Sequence, residues 1–286
     1  MDMSLAAAPR LGPLYARAAL RALLPGGSGE LPGDAMVRED VVADPADLAA
    51  YARLCGFALD DALPPTYPHL LAFGPQVALM ARRGFPLPLP GLVHVRNTIT
   101  VRRPVGAGEP LRVRVHAERF VTHPKGATVD LVATVHAGDE PVWAGRSTYL
   151  ARGATAPVAT AAPGEEPGGV EGGPPAAVWR VDAATGRRYA GVSGDVNPIH
   201  LHPLTARAFG FPRAIAHGMW TAARALAALQ GRLPDALGYD VVFGRPLLLP
   251  STVELRTRAV TGGGWDLDVR AAGFGPQHLR AAVRPR

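Results

Sequence analysis

Apolar and polar positions along the chain fall into two similar series. Residues 217–230, HGMWTAARALAALQ, are apolar or alanine almost all round, the pattern of a helix buried on every side. Four strand-like runs follow, 239–247, 252–260, 265–271 and 278–283, divided by turn formers such as Pro250-Ser251 and Gly262-Gly263-Gly264. The first half repeats this order. A helix is predicted over 69–82, then strands over 92–101, 111–121, 128–137 and 142–151. A helix followed by a meander of antiparallel strands predicts an α+β layer, with each sheet curled around one long buried helix.

The halves also match locally. Tyr51-Ala52-x-x-Cys55-Gly56 parallels Tyr189-Ala190-x-x-Ser193-Gly194 at an offset of 138, which an internal duplication explains. Between them, residues 154–177 read ATAPVATAAPGEEPGGVEGGPPAA and hold almost no large apolar side chain. Such a stretch cannot bury enough surface to order itself and is expected to be a flexible tether. The expected organisation is therefore 1–153, a linker at 154–177, and 178–286.

Composition narrows the class. The 286 residues are 48% hydrophobic and 19% charged, ordinary for globular domains able to bury a core. No run of about 18 apolar residues occurs, so no membrane span is expected. The 11–24 stretch is interrupted by Pro13, Arg17 and Arg21 and lacks the features of a signal peptide. Cys55 is the only cysteine, which excludes an internal disulfide and fits a reducing cytoplasm. The net charge of +6 comes from scattered arginines, with Lys125 the only lysine. That is no nucleic-acid patch, although a phosphate on a small ligand remains compatible with it.

The segment 189–200, YAGVSGDVNPIH, carries the chemistry. Ser193-Gly194-Asp195 and Asn197-Pro198 are turn and breaker signals, so a helix running from Arg187 ends here. Asp195 and His200 lie five residues apart in the irregular stretch that follows. A carboxylate beside an imidazole can move protons to and from water near neutral pH. Taken singly, Asp-x-Asn-Pro is commonly a plain turn and a loop histidine is commonly solvated. The whole cluster, with Ala-x-x-x-Gly and His217-Gly218-Met219 after it, is too long and unusual for that account. The histidines show no metal-ligand spacing, and no metal is expected.

The segment resembles the MaoC-like dehydratases, the (R)-specific enoyl-CoA hydratases or hydratase 2 family. Their signature is an aromatic residue, then Ser-Gly-Asp-x-Asn-Pro-aliphatic-His, here Tyr189, Ser193, Gly194, Asp195, Asn197, Pro198, Ile199 and His200. Phe243-Gly244-Arg245-Pro246 and the run from Leu249 to Val253 add to the likeness, which extends loosely over 178–286. The resemblance implies a hotdog fold, in tandem here. It implies that Asp195 and His200 hold and activate the water added to a trans-2-enoyl thioester, and that Asn197 orients the water or the histidine. The backbone N–H of Gly218 would face the thioester oxygen, and Ser193 and Tyr189 would line the substrate site. No cofactor is needed, because the thioester itself acidifies the α-proton. The substrate partner would be an acyl-CoA or acyl-carrier-protein thioester of fatty-acid metabolism.

The first half departs from the signature. At the 138-residue offset Asp195 corresponds to Phe57, Asn197 to Leu59 and His200 to Ala62. His69 leads its helix as His217 does, but at an offset of 148, so the intervening loop is about ten residues shorter. This half resembles the non-catalytic repeat of two-hotdog hydratases. It would make a pseudo-dimer within one chain, joined edge to edge, with a homodimer of that unit left open. His69, His94 and Arg96 are read as structural. Two other functions stay open at this point: a hotdog acyl-thioesterase, and a non-catalytic acyl-thioester-binding partner subunit.

Overall fold

The computed structural model describes residues 2–21, 30–89, 91–158, 166–170 and 172–286. Parts of the expected linker, 159–165 and 171, lie outside the described residues, as do 22–24 of the 11–24 stretch. The first half contains β1 (Asp2–Ser4), α1 (Leu11–Arg21), β2 (Ala35–Val41), α2 (Pro45–Cys55), α3 (Pro68–Met80), β3 (Val93–Val101), β4 (Leu111–His123), β5 (Gly126–Ala137) and β6 (Glu140–Arg152). The second contains β7 (Ala177–Val181), α4 (Thr185–Ser193), α5 (Pro198–Leu201), α6 (Pro203–Ala208), α7 (Gly218–Ala227), β8 (Leu237–Phe243), β9 (Ser251–Ala259), β10 (Trp265–Ala271) and β11 (Gln277–Pro285). Each half is a hotdog, an antiparallel sheet curled around one helix, α3 or α7. The expected simple meander is corrected, because the first strand of each set, β3 or β8, pairs with the last, β6 or β11, and not with the next.

All the strands form one sheet in the order β1-β2-β4-β5-β6-β3-β8-β11-β10-β9-β7. The halves meet where β3 pairs antiparallel with β8, from Arg96 opposite Val242 to Val101 opposite Leu237. Arg96 bridges the seam, its guanidinium 2.6 Å from the Asp240 carboxylate. That is the structural role expected of it.

Period-two alternation turns one face of each strand onto its helix. Leu237, Tyr239 and Val241 of β8 are buried, as are Leu279, Ala281 and Val283 of β11. The Tyr239 hydroxyl donates to Ala222 O of α7 at 2.9 Å, satisfying the one polar atom that this ring buries. The duplication is visible in the helix ends. α2 and α4 both stop at a left-handed glycine, Gly56 and Gly194, whose N–H returns to Ala52 O and Ala190 O. The rings of Tyr51 and Tyr189, the matching residues of the two helices, lie 6.4 Å apart.

The described linker residues touch both halves: Val158 bridges to Val121 of β4, and residues from 166 onward run along the strands of the second half. Glu166 pairs with Arg280 at 3.0 Å, Val170 is buried, and Arg256 donates to Gly172 O and Gly173 O. β7, not foreseen as a strand, starts at the linker's last residue and pairs with β9. No described helix is long and apolar enough to cross a membrane.

Candidate active site

The loop after α4 is built by its own short-range bonds. The Ser193 hydroxyl donates to Tyr189 O at 2.7 Å and accepts from Asp195 N–H at 3.1 Å, which fastens the loop to the helix it leaves. Asp195 Oδ1 accepts from Asn197 N–H at 3.2 Å, an Asx turn. Asn197 then caps α5, where Pro198 takes the first position and His200 the last turn. α4 and α5 approach so closely that a Cβ on Gly186 would stand 2.2 Å from His200 O. Only glycine allows that contact, and the contact fixes where His200 stands.

His200 is buried, and its Nδ1 lies 2.9 Å from Ile215 O. A carbonyl oxygen can only accept, so Nδ1 carries the proton of the neutral ring and Nε2 keeps its lone pair. His217, the residue before α7, is held likewise. Its Nε2 lies 3.0 Å from Asp195 O, and its Nδ1 is buried with no hydrogen-bond partner among the described residues. His217 offers α7 no side-chain cap, and Gly218 and Met219, which open that helix, line the cavity.

The Asp195 side chain is 23% exposed to this cavity, and its Oδ2 stands 3.8 Å from His217 Nε2. Burial works against its ionisation. The nearby His217 and His200, the Asn197 N–H and the Tyr15 hydroxyl outweigh burial together, and the carboxyl titrates below its ordinary range. The histidines shift down as well. Burial lowers His200 against the pull of Asp195. Burial and the neighbouring His200 push His217 down to about 3. At neutral pH the site thus holds a carboxylate beside uncharged imidazoles.

These groups share one cavity of about 110 Å³. Every residue expected to act at the site lies on it: Tyr189, Ser193, Asp195, Asn197, His200 and Gly218. Apolar side chains such as Phe73, Met80, Leu92, Met219 and Phe243 form much of the remaining wall, and the side-chain oxygen of Asn197 is buried there with no partner among the described residues. The space is suited to an acyl chain ending at a small polar centre.

The first half also reaches the cavity. His69 and His94 line it, with ring centroids 6.0 Å apart, and Tyr149 stacks on His94 at 4.6 Å. Burial depresses both histidines, His69 to about 4 and His94 to about 3. Sequence reasoning treated these two as structural, because no catalytic motif accompanies them. It missed Tyr15, whose hydroxyl donates to Asp195 Oδ1 at 3.1 Å, and nothing in the local sequence of α1 signals that contact.

The donor atoms of Asp195, His200 and His217 lie within 4.8 Å of one another, a grouping that sequence spacing did not show. The two imidazoles stack at 3.7 Å, however, which sets their nitrogens side by side. Tetrahedral ligation wants lone pairs converging from separate directions.

The sequence profile of the MaoC like domain matches residues 163–271. A 3-hydroxyacyl-thioester dehydratase X from Mycobacterium tuberculosis is 41% identical over 257 residues, 89% of this chain and 90% of that one. The crystal structure of HtdX from M. tuberculosis superposes with a TM-score of 0.78 at 40% identity, covering 88% of this chain and all of that one. A MaoC-like dehydratase from Phytophthora capsici, 20% identical, shares the fold over 92% of this chain and 98% of its own, with a TM-score of 0.74.

Proposed function

This chain belongs to the MaoC-like dehydratase family, and from that premise we propose that it is a hydro-lyase of 3-hydroxyacyl thioesters. It removes water from a 3-hydroxyacyl thioester, or adds water to the trans-2-enoyl thioester, in fatty-acid metabolism. The observation that carries this reading is the pairing of an ionised Asp195 with a neutral His200 whose Nε2 lone pair is free, beside the open N-terminus of α7.

In the hydration direction, Asp195 Oδ2 and His200 Nε2 each accept a hydrogen from one water. The water oxygen bonds to the β-carbon while one of the two groups takes its proton. The α-carbon gains a proton from the pair, so one water is consumed and the pair ends as it began. Charge that develops on the thioester oxygen is met by the Gly218 N–H and the positive end of α7. Asn197 offers its side-chain oxygen to the water or substrate, and Tyr189 and Ser193 hold the loop and wall. Dehydration is the same path reversed.

The division of labour follows the signature. Residues 178–286 carry the catalytic groups, and 1–153 serve as a non-catalytic hotdog that completes the cavity. In support, the residue after the Gly56 cap, where Asp195 stands in the other half, is Phe57, buried in the core. The thioester carrier is CoA or acyl carrier protein. A buried single cysteine, Cys55, suits a reducing cytoplasm.

The test is an absorbance assay on crotonyl-CoA with a thiol reagent present. Loss of the enone band without thiol release is the expected result. Thiol release would make the protein a thioesterase, and neither signal would make it a binding subunit.

A further inference from the structure

The N-terminal segment takes an unusual route. β1 pairs parallel with β2 at the far edge of the sheet, Asp2 opposite Ala35 and Ser4 opposite Val37, and Leu5 N–H extends the pairing to Val37 O at 2.8 Å. The Asp2 carboxylate holds Arg114 of β4 at 3.1 Å. From that anchor the chain crosses α3, where Pro9 packs 3.0 Å from the place a Cβ on Gly74 would occupy. It then reaches the end of α4, where Leu11 lies 2.8 Å from the corresponding point on Gly194. α1 starts at this contact and turns Tyr15 inward, leaving its side chain 9% exposed.

The Tyr15 hydroxyl ends on Asp195 Oδ1 at 3.1 Å, the same oxygen that accepts the Asn197 N–H at 3.2 Å. Two donors on Oδ1 fix the rotation of the carboxylate. Oδ2 is then the oxygen left toward the cavity and His217. A phenylalanine would fill the same apolar space under α1 but would supply no donor, so packing alone does not call for the hydroxyl.

We propose that Tyr15, delivered by the N-terminal segment 180 residues before the loop it serves, is a positioning residue that orients Asp195 and keeps it ionised for the water step. This rests on the catalytic reading of Asp195 given above. Tyr15 keeps its own proton throughout, because burial first and the Asp195 charge second raise its pKa well above the ordinary value. It donates to Asp195 without taking part in proton transfer.

Tyr15→Phe and Asp195→Asn, alone and combined, test this in the full chain. Hydration of crotonyl-CoA is followed from pH below the ordinary carboxylate range, where Asp195 titrates, to mildly alkaline pH, with melting curves for each variant. Tyr15→Phe should fold normally and lose about ten-fold in kcat, with KM changed by less than about two-fold, since a donor to a charged group has gone while substrate contacts remain. Its acid limb should move to higher pH, because a carboxylate that has lost a donor takes its proton more readily. In the Asp195→Asn background the same change should add nothing. An unchanged acid limb overturns the proposal, whether or not kcat falls, because a packing role would leave the limb in place. Full activity in Asp195→Asn alone would instead sink the catalytic reading on which the proposal stands.

Discussion

The imidazole rings of His200 and His217 stack with centroids 3.7 Å apart and planes inclined by 26°. Each ring gives a proton to a backbone carbonyl, His200 to Ile215 O and His217 to Asp195 O. Two buried rings face to face resist protonation, since a positive charge on either is desolvated and a second would be repelled. The stack therefore keeps the site's bases uncharged while Asp195 carries the negative charge. The proposed water step starts from that state.

Asp195→Asn and His200→Ala should each lower turnover by about 10²–10⁴-fold, the usual cost of losing a general acid–base group. Their stabilities should differ. Asparagine can still accept from Tyr15 and the Asn197 N–H, so Asp195→Asn should melt close to the parent protein. His200→Ala leaves Ile215 O without its donor, which costs about 1–3 kcal/mol. Steady-state rates and melting curves on both variants check this, and near-full activity in either would refute its catalytic role.

The buried histidines also set the acid stability of the fold. His69 is 5% exposed and His217 2%, and their folded pKa values, about 4 and about 3, lie below the unfolded value of 6.5. The unfolded chain then binds the extra protons, so stability present above pH 6.5 is lost as pH falls toward 4. The slope should reach about 1.4 kcal/mol per pH unit for each such histidine. His69→Phe keeps a ring against Phe73 and His94 but cannot titrate, so its denaturation midpoint should fall less steeply with acid. Parallel slopes for parent and variant would count against this account.

Gly218→Ala probes the helix terminus. Its Cβ would stand 2.9 Å from the Phe243 ring and force that ring, which rests 5.0 Å from His94, to shift. The N–H would remain, but the approach to the thioester oxygen proposed for it would be spoiled. We expect kcat/KM to fall by about 10²-fold, in the range of a lost oxyanion donor. A variant with parental kcat/KM would reduce Gly218 to a packing residue.

Hydration of crotonyl-CoA should yield the (R)-3-hydroxy product, the hand of the hydratase 2 family that the signature from Tyr189 to His200 resembles. Chiral separation of the product decides it, and a predominantly (S) product would break the transfer of roles from family to chain.

The parts of the site that share one loop were legible in the sequence. Asp195, Asn197 and His200 stand together because Ser193, Gly194 and Pro198 dictate the turns between them. Residues joined only by tertiary packing were not. Tyr15 meets Asp195 through the path of α1, and His94 enters the cavity because β3 lies beside β8. The long buried helices and the strands that follow them were readable from periodicity, but their pairing was not, since β3 and β8 join the last strand of each set, β6 and β11. β7, Ala177–Val181, escaped notice because five residues at the end of a Pro/Gly-rich run show too little alternation. β2, AMVREDV, likewise mixes buried and charged positions at the sheet's rim.

The division between the halves leads to the last prediction. Removing the first half would free β8 from β3, exposing six residues of paired edge from Leu237 to Val242 and stranding Asp240 without Arg96. An open strand edge is a template for association. It would also strip from the cavity the wall made by His69, Phe73, His94 and Tyr149, together with the Tyr15 donor. Residues 166–286 alone, which retain β7 and the whole signature, should therefore aggregate, self-associate through β8 or show little hydratase activity. Co-expression with residues 1–158 as a separate chain should restore activity, because the seam is made of backbone pairing that needs no covalent tie. Gel filtration and the crotonyl-CoA assay on the two preparations read the outcome. A soluble, fully active monomer of 166–286 would show that the first half supplies neither the edge nor the wall, and the shared-cavity account of the two halves would fail.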